Sequence, residues 1–312
     1  MTQSLGLVFC GTPDFAVLTL EKLVAAGFRV HLVVTRPDRP KGRGLEFIAS
    51  PVKQSALRLN LPITQPEQIK TNDDFRAQLT ALKPDAIIVV GYGRLIPPWM
   101  LDLPPLGNIN LHASLLPKYR GAAPIQWAIA QGESVTGVTT MRLDVGLDTG
   151  EILLQLESSI APEDTAETLA PRLASIGADL MVETLRGLQA GSIRPRPQDN
   201  SKATLAPILT KEDGLIDFSR SAAEIFNRLR GFQPWPGAHT KFRGKNLLIV
   251  KARPASDLLP PAELLVQADR LLVGCGHSTS LELLELQLEG KKRISARDFI
   301  HGYQPRPTET LG

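Results

Sequence analysis

Cysteine and long apolar runs are scarce in this 312-residue chain. Its two cysteines, Cys10 and Cys275, are too few and too far apart for a disulfide framework or a cysteine zinc site. The five histidines show no pair at metal-ligand spacing, so we expect no metal. Apolar runs such as 86–90 are well short of the roughly 20 residues of a membrane span, and the N-terminus lacks a signal-peptide pattern. These absences favour a cytoplasmic protein with reduced thiols and no membrane partner.

Length and charge are those of an ordinary globular protein with more than one domain. The hydrophobic content is 43%, and 312 residues exceed the usual size of a single domain. The formal net charge of +3 is mildly basic, which does not by itself indicate a polyanionic partner. Length therefore predicts two domains, while composition leaves the function open.

The first 190 residues alternate short apolar runs with helical patterns. Runs at 5–10, 85–90 and 107–111 are of strand length, and helical patterns follow the first and the last. Such alternation predicts an α/β fold with a parallel or mostly parallel sheet. The runs at 137–143 and 151–156 follow each other closely, so we expect an antiparallel edge there.

The composition changes between residues 191 and 207, where glycine, proline, serine and asparagine interrupt any regular pattern. This stretch is typical of a linker. After it come one short helix and five strand-length runs punctuated by glycine and proline, which predict a small β-barrel or sandwich. The predicted organisation is an α/β domain over 1–190, a linker over 191–207 and a β domain over 208–312.

An amide, an imidazole and a carboxylate follow two of the predicted strands. His112 lies at or just past the end of the run 107–111, and Asn110 points to the same face of a strand. Ligands bind at the carboxyl ends of strands in such sheets. Asn110 and His112 could stabilise an oxyanion on an acyl carbon, while Asp148, in a glycine-flanked turn, could orient His112 or relay a proton. The same three residues could instead serve only as a turn asparagine, a hydrogen-bonded histidine and an Asx-turn carboxylate.

Four basic side chains cluster in the stretch 36–44: Arg36, Arg39, Lys41 and Arg43. They face a single acid, Asp38, and two prolines and two glycines exclude a helix, so we expect an exposed loop. A flexible basic loop can follow the phosphates of a nucleic acid. Many such loops are only solvated surface, and the sequence alone leaves both interpretations open.

Seven segments together resemble the formyltransferases that use 10-formyltetrahydrofolate. They are residues 10–16 (CGTPDFA), 36–44 (RPDRPKGRG), 50–53 (SPVK), 110–117 (NLHASLLP), 120–126 (RGAAPIQ), 144–150 (DVGLDTG) and 233–237 (QPWPG). The asparagine, histidine, SLLP and aspartate pattern is shared by the whole family and is specific for its chemistry. The basic stretch and the C-terminal part are similar to the branch that acts on methionyl-tRNA, and no catalytic position departs from the pattern.

This resemblance implies a Rossmann-like formyltransferase domain with a mostly parallel sheet, followed by an OB-like β-barrel that binds tRNA. It implies transfer of a formyl group from 10-formyltetrahydrofolate, a cosubstrate, to the α-amino group of methionyl initiator tRNA, by a monomer. Asn110, His112 and Asp148 correspond to the catalytic residues of the family. The folate-site segment corresponds to Ser114, Leu115, Leu116 and Pro117, and the loop that meets the tRNA acceptor end corresponds to Arg36, Arg39, Lys41 and Arg43.

The mechanism expected from this assignment needs no serine or cysteine nucleophile, because the aminoacyl amine attacks the formyl carbon. Esterification removes the carboxylate charge and makes the neutral amine available near neutral pH. We expect Asn110 to donate to the formyl oxygen and His112 to donate to the same oxyanion. Asp148 is expected to help move the proton from the amine to the folate nitrogen.

Two other functions remain open from the sequence. One is a different 10-formyltetrahydrofolate-dependent enzyme, such as a glycinamide ribonucleotide or sugar-nucleotide formyltransferase or a formyltetrahydrofolate hydrolase. The other is a non-catalytic RNA-binding protein, for which the basic stretch and the β domain would suffice. The second domain over 208–312 argues against the glycinamide ribonucleotide enzyme, and the set of Asn110, His112 and Asp148 argues against a non-catalytic protein.

Overall fold

The computed structural model describes residues 4–41 and 46–312. Contacts divide the chain into two compact units. The first unit contains the described residues up to Pro124 together with Val135–Ser159 and Ala170–Pro207. The second contains Ile125–Ser134, Ile160–Leu169 and Ile208–Gly312. The stretch predicted as a linker thus packs within the first unit, and two short segments of the N-terminal half pack within the second. The predicted domain boundaries stay a prediction.

The described residues up to position 207 contain nine strands, six α-helices and a short 3-10 helix at Asn200–Lys202. The strands are β1 (Gly6–Gly11), β2 (Arg29–Val34), β3 (Arg39–Lys41), β4 (Glu46–Ile48), β5 (Ile63–Thr64), β6 (Ala86–Val90), β7 (Asn108–His112), β8 (Val135–Arg142) and β9 (Ile152–Ser159). The helices are α1 (Asp14–Ala25), α2 (Pro51–Arg58), α3 (Asp73–Leu82), α4 (Pro98–Leu101), α5 (Pro124–Ala130) and α6 (Ala166–Gln189).

Seven of these strands form one sheet in the order β5-β2-β1-β6-β7-β8-β9. Pairing is parallel from β5 to β7 and antiparallel from β7 to β9. Every residue of β1, β6 and β7 is buried, as expected for central strands that are covered on both faces. The sequence predictions of a mostly parallel sheet and of an antiparallel edge are confirmed.

Helices cover this sheet through apolar side chains at helical spacing. In α3, Asn72 accepts a hydrogen bond from the Phe75 amide as an N-cap, and Phe75 and Leu79 pack on side chains of β1, β2 and β6. In α6, Gly177 lies so close to Leu111 of β7 that a Cβ atom there would stand 2.8 Å from its Cδ2. The absence of a side chain at Gly177 therefore lets the helix approach the strand that carries Asn110 and His112.

The basic stretch differs from its prediction as an exposed loop. Residues 39–41 form β3, which pairs antiparallel with β4 at 46–48. The prolines and glycines exclude a helix, as expected, but they do not prevent a short two-stranded ribbon, because proline is tolerated at a strand edge. Arg43 lies outside the described residues.

The second unit is built on antiparallel strands. They are β10 (Ala238–Phe242), β11 (Lys245–Ala255), β12 (Leu264–Gln267), β13 (Arg270–Cys275), β14 (Thr279–Leu288) and β15 (Ile294–Ser295). Two helices, α7 (Ala222–Gly231) and α8 (Ala296–Tyr303), pack on them. Ser221 and Glu224 form a capping box at the start of α7, and Phe299 of α8 meets Phe242 of β10 edge to face.

The C-terminal residues of the chain connect the two ends of this sheet. Strand order is β10-β11-β14-β13-β12, with β15 on β14. The Leu264 amide of β12 donates to the Glu309 carbonyl (2.7 Å), and the Gly312 amide donates to the Lys241 carbonyl of β10 (3.0 Å). One short segment thus closes the path into a small barrel. The predicted fold class, a mostly parallel α/β unit plus a C-terminal antiparallel β unit, is confirmed.

Candidate active site

Strand β7 places Asn110 and His112 at the carboxyl edge of the sheet. His112 is its last residue and Asn110 lies two positions earlier, so both side chains point to one face. β7 is also the last parallel strand, since its other neighbour, β8, runs antiparallel. Both side chains are largely buried, with 9% of Asn110 and 6% of His112 exposed. This is the edge at which ligands bind in open α/β sheets.

The ring nitrogens of His112 have different surroundings. Nε2 lies 2.8 Å from the backbone carbonyl oxygen of Tyr119. A carbonyl oxygen only accepts, so Nε2 carries the hydrogen of this bond. Nδ1 lies 3.7 Å from Oδ2 of Asp148, too far for a direct hydrogen bond. The Nδ1 edge is therefore the part of the ring that remains for a ligand or a proton.

Asp148 is fixed in an unusual backbone conformation. Its φ is +52°, in the left-handed region that a short polar residue tolerates. Oδ2 accepts a hydrogen bond from the Gly121 amide (2.8 Å), and the side chain is 14% exposed. Asp144 closes the same turn by accepting from the Gly146 amide and the Thr149 hydroxyl. The carboxylate is thus held beside His112 while one edge stays open to solvent.

The side-chain amide of Asn110 is uncommitted. Within residues 4–41 and 46–312 no hydrogen bond to this amide is found. Asn108, two residues earlier on β7, differs: its Nδ2 donates to the carbonyls of Met100 (2.9 Å) and Leu101 (3.0 Å) at the end of α4. A largely buried amide with no protein partner is suited to bind a ligand oxygen, because leaving it unpaired costs free energy.

The predicted folate segment is held from the neighbouring strand β8. Thr139 donates its hydroxyl hydrogen to the Ser114 carbonyl (2.6 Å) and accepts from the Leu116 amide (3.2 Å). Ser114 is fully buried and its hydroxyl donates to the Lys118 carbonyl (2.6 Å), while Leu116 is 3% exposed. The side chains of Ser114 and Leu116 therefore face inward. The partly exposed residues of the segment are Leu115 and Pro117.

A polar network anchors the chain where it leaves β2 and enters the basic ribbon, the pair of strands β3 and β4. Lys53, in α2, binds the Asp38 carboxylate and the Gln65 side-chain oxygen. Gln65 in turn donates to the Arg36 carbonyl (2.7 Å) and to Asp38 (2.8 Å). The hydrogen bond from Lys53 holds the pKa of the Asp38 carboxyl below its usual value. The network fixes where the ribbon leaves β2.

The ribbon and the Asn110–His112–Asp148 set lie at the same edge of the sheet. β2 and β7 are separated by β1 and β6, which corresponds to about 14 Å at the usual strand spacing. Arg36 reaches part of this way: its Nη1 lies 3.4 Å from where a Cβ of Gly93 would stand, in the turn after β6. Arg39 and Lys41 belong to β3. The described side chain of Arg36 thus lies at the turn after β6, the strand next to β7.

Two further polar side chains belong to this site, and sequence reasoning did not single them out. Gln198 donates from Nε2 to the carbonyls of Asp148 (2.8 Å) and Gly150 (2.7 Å). Arg120, 7% exposed, donates to the Gln198 side-chain oxygen. Arg120 stands in one of the family-like segments, which was a signal, but Gln198 lies in the stretch predicted as a linker and gave none.

The part of the chain that the structure describes contains no group of three or more histidine, cysteine or carboxylate side chains able to hold a metal ion. None of its helices is both long enough and apolar enough to span a bilayer.

The fold and the site define a class of protein: an α/β enzyme with an amide, an imidazole and a carboxylate at the carboxyl edge of its sheet. Residues 6–185 match the family model Formyl transferase, and residues 208–304 match Formyl transferase, C-terminal domain. The chain belongs to the formyl transferase family, within its methionyl-tRNA formyltransferase branch. The resemblance read from the sequence is confirmed.

Individual relatives support the assignment along the whole chain. The methionyl-tRNA formyltransferase of Koribacter versatilis is 68% identical over 306 residues, which is 98% of each chain. That of Acidobacterium capsulatum is 62% identical over 308 residues, covering 98% of this chain and 99% of the relative. An N-formyltransferase of Helicobacter canadensis, solved with folinic acid and dTDP-3-aminofucose, has a TM-score of 0.65 at 18% identity and covers 89% of this chain and 98% of that one. The last comparison supports the fold alone.

Proposed function

We propose that this chain transfers the formyl group of 10-formyltetrahydrofolate to the α-amino group of methionyl initiator tRNA. The product is N-formylmethionyl-tRNA, which serves translation initiation. One structural observation carries the proposal: the uncommitted amide of Asn110 lies beside His112 and Asp148 at the carboxyl edge of the sheet. The full-length identity to methionyl-tRNA formyltransferases supports the same substrate pair.

Asn110 stabilises the charge that develops on the formyl oxygen. The amine attacks the formyl carbon and forms the new C–N bond, and the bond from that carbon to the folate N10 breaks. Between these events the oxygen carries negative charge. Nδ2 of Asn110 has no protein acceptor among the described residues, so it can donate to this oxygen without breaking another bond.

His112 supplies the second hydrogen-bond donor to the oxyanion, and Asp148 transfers the proton. Because Nε2 of His112 donates to Tyr119, only Nδ1 is available to the oxyanion, and it is a donor when the ring is protonated. Asp148 lies 3.7 Å from Nδ1, on the side of the ring that faces the substrate amine in this proposal. The carboxylate also accepts the proton that leaves the attacking amine and passes it, directly or through water, to N10.

The folate lies against the segment Ser114, Leu115, Leu116 and Pro117. Ser114 and Leu116 point inward, so this proposal relies on the backbone of the segment and on the exposed parts of Leu115 and Pro117. Thr139 holds this backbone from β8 and keeps it at a fixed distance from His112. A rigid segment of this kind positions the donor for attack.

The tRNA is bound by the basic ribbon and by the C-terminal β unit. Arg36, Arg39, Lys41 and Arg43 supply the positive charge for this binding, and the hydrogen bond from Gln65 to the Arg36 carbonyl fixes the start of the basic stretch. Charge of this sign follows phosphates and carries the salt dependence of binding. The functional boundaries that we propose are 1–190 for catalysis, 191–207 for the connection and 208–312 for tRNA binding.

We further propose that the enzyme acts as a monomer in the cytoplasm. Asn110, His112 and Asp148 come from one chain, so the site needs no residue of a second copy. Both cysteines are free and buried, as expected in a reducing compartment. Light scattering on the purified protein tests the monomer: a mass of about twice 33.9 kDa would contradict it.

The decisive experiment compares three acceptors with 10-formyltetrahydrofolate as donor. We expect transfer to methionyl-tRNA and none to free methionine or to a UDP-amino sugar. The expected discrimination rests on the tRNA contacts and on the low basicity of the aminoacyl amine. Transfer only to the sugar, or release of formate without an acylated product, would overturn the proposal.

A further inference from the structure

The turn that carries Asp148 is closed by a residue far along the chain. A single nitrogen, Nε2 of Gln198, donates to the carbonyls of Asp148 (2.8 Å) and Gly150 (2.7 Å). One side-chain amide thereby binds the backbone carbonyls of two residues that are two positions apart in the sequence. Because Asp148 has a left-handed φ of +52°, its carboxylate depends on this turn for its direction.

Gln198 is itself held by a buried arginine. Arg120 donates from Nε (3.1 Å) and Nη2 (2.7 Å) to the Gln198 side-chain oxygen, which orients the amide so that its nitrogen faces the turn. Nη2 also donates to the Asn200 side-chain oxygen (2.8 Å). The backbone of Arg120 pairs with Leu205, so the whole stretch around Gln198 is fixed against the loop after β7.

The residues on either side of Arg120 bind the two titratable groups of the site. Tyr119 accepts from His112 through its carbonyl, and Gly121 donates to Asp148 through its amide. Three consecutive residues therefore connect His112, Asp148 and Gln198 through hydrogen bonds. Gln198 bonds directly to the Asp148 turn, whereas its link to His112 runs through Arg120 and the adjacent Tyr119.

We propose that Gln198 is a positioning residue for formyl transfer, acting through Asp148. It holds the Asp148 carboxylate at its distance from Nδ1 of His112, and Arg120 holds Gln198. The inference rests on the proposed function, because it takes Asp148 as the group that receives the proton. Misplacing a reacting group by about 1 Å costs roughly 100-fold in rate, so loss of this support should lower turnover without removing a catalytic group.

Two variants of Gln198 separate a role in positioning Asp148 from a role in stabilising the fold alone. Gln198→Leu removes all hydrogen bonds of the side chain. Gln198→Glu keeps an acceptor for Arg120 but presents carboxylate oxygens, which cannot donate, to the carbonyls of Asp148 and Gly150. Asn200→Ala is the matched control. It removes the hydrogen bond that Arg120 donates to the exposed Asn200 and leaves both bonds from Gln198 to the turn intact.

We expect both Gln198 variants to lower kcat by about 10- to 100-fold while KM for each substrate changes by less than about 3-fold. The pH profile of kcat should change in both variants, because a displaced Asp148 carboxylate no longer receives the proton of the amine from the same position. The 15N shifts of the His112 ring at fixed pH should move in the same variants. Asn200→Ala should match the wild type in kcat, pH profile and 15N shifts.

A purely structural role predicts a different pattern. Gln198→Glu, which keeps the Arg120 contact, would then retain its thermal midpoint and its kcat, and that result overturns the proposal. A lower kcat with unchanged pH profile and unchanged His112 shifts also overturns it. The NMR measurement does not need turnover, so it still tests the positioning role if the wild-type protein fails to formylate methionyl-tRNA and the proposed function is wrong.

Discussion

Substitution of Asn110 by alanine isolates the contribution of one hydrogen-bond donor to turnover. Its amide has no partner among the described residues, so Asn110→Ala leaves no other protein group unpaired. Removal of one oxyanion donor costs about 3–4 kcal/mol of transition-state stabilisation, which corresponds to roughly 10²–10³ in kcat. We expect a fall of that size, with KM for methionyl-tRNA little changed and a thermal midpoint close to that of the wild type.

Asn108→Ala is the matched control for this experiment. Asn108 is also a buried asparagine of β7, but its amide holds the Met100 and Leu101 carbonyls at the end of α4. Its loss leaves two backbone acceptors without their donor and should cost about 2–3 kcal/mol of folding free energy. The folded fraction of Asn108→Ala should turn over at nearly the wild-type kcat.

The assay measures initial rates of N-formylmethionyl-tRNA formation at saturating donor, together with thermal unfolding followed by circular dichroism. A kcat of Asn110→Ala within a few-fold of wild type would refute the assignment of Asn110 as the oxyanion donor. Equal losses of kcat in the two variants would refute it as well, because the effect would then belong to the strand and not to the amide.

Four other experiments have defined outcomes. Asp38→Asn should lower the free energy of unfolding by about 1 kcal/mol at neutral pH. Because the pKa of Asp38 is lowered in the folded protein, the difference in stability between variant and wild type should shrink as pH falls below about 4. A difference in unfolding midpoint that stays constant with pH would contradict this. Burial raises the pKa of both thiols, that of Cys275 to about 12, so neither Cys10 nor Cys275 should react with Ellman's reagent before unfolding, and labelling of the native protein would disprove this. Arg43→Ala should raise KM for the tRNA and reduce its salt slope by about one while leaving KM for the folate unchanged; unaltered tRNA kinetics would make the ribbon ordinary surface. Thr139→Val should raise KM for the folate several-fold relative to Thr139→Ser, which keeps the hydroxyl, and equal values for the two variants would count against a fixed folate segment.

Local patterns in the sequence were sufficient to predict the strands and helices that bury continuous or periodic apolar surface. The central strands β1 and β6 are buried on both faces and consist of apolar runs, and α7 is the short helix predicted after the stretch 191–207. The amide and the imidazole on β7 could be placed on one face because strand periodicity is two. Each of these inferences needs only neighbouring residues.

Contacts between distant parts of the chain could not be predicted in this way. The stretch 191–207 has the composition of a linker, yet it pairs through its backbone with residue 120 and supplies Gln198 to the Asp148 turn. The C-terminal residues close the β unit by bonding to two strands that are not neighbours in sequence. The ribbon β3–β4 depends on an antiparallel pairing that proline and glycine partly conceal. In each case a nonlocal hydrogen bond outweighs a local tendency.

Asn108 and Asn110 show most directly why the site needed a structure. The two residues are the same amino acid on the same strand and the same face, and both are buried, so strand periodicity and burial do not separate them. The family-like segment 110–117 singles out Asn110, and the position of α4 gives the physical reason: its last carbonyls accept from the amide of Asn108 and leave that of Asn110 uncommitted. Strand periodicity alone would assign both asparagines the same role, whereas the structure predicts that Asn108→Ala loses stability and Asn110→Ala loses turnover. An intermediate result, in which both variants lose some of each, would mean that α4 and the oxyanion donor are coupled through β7, and the amide of Asn110 would then no longer count as an independent catalytic group.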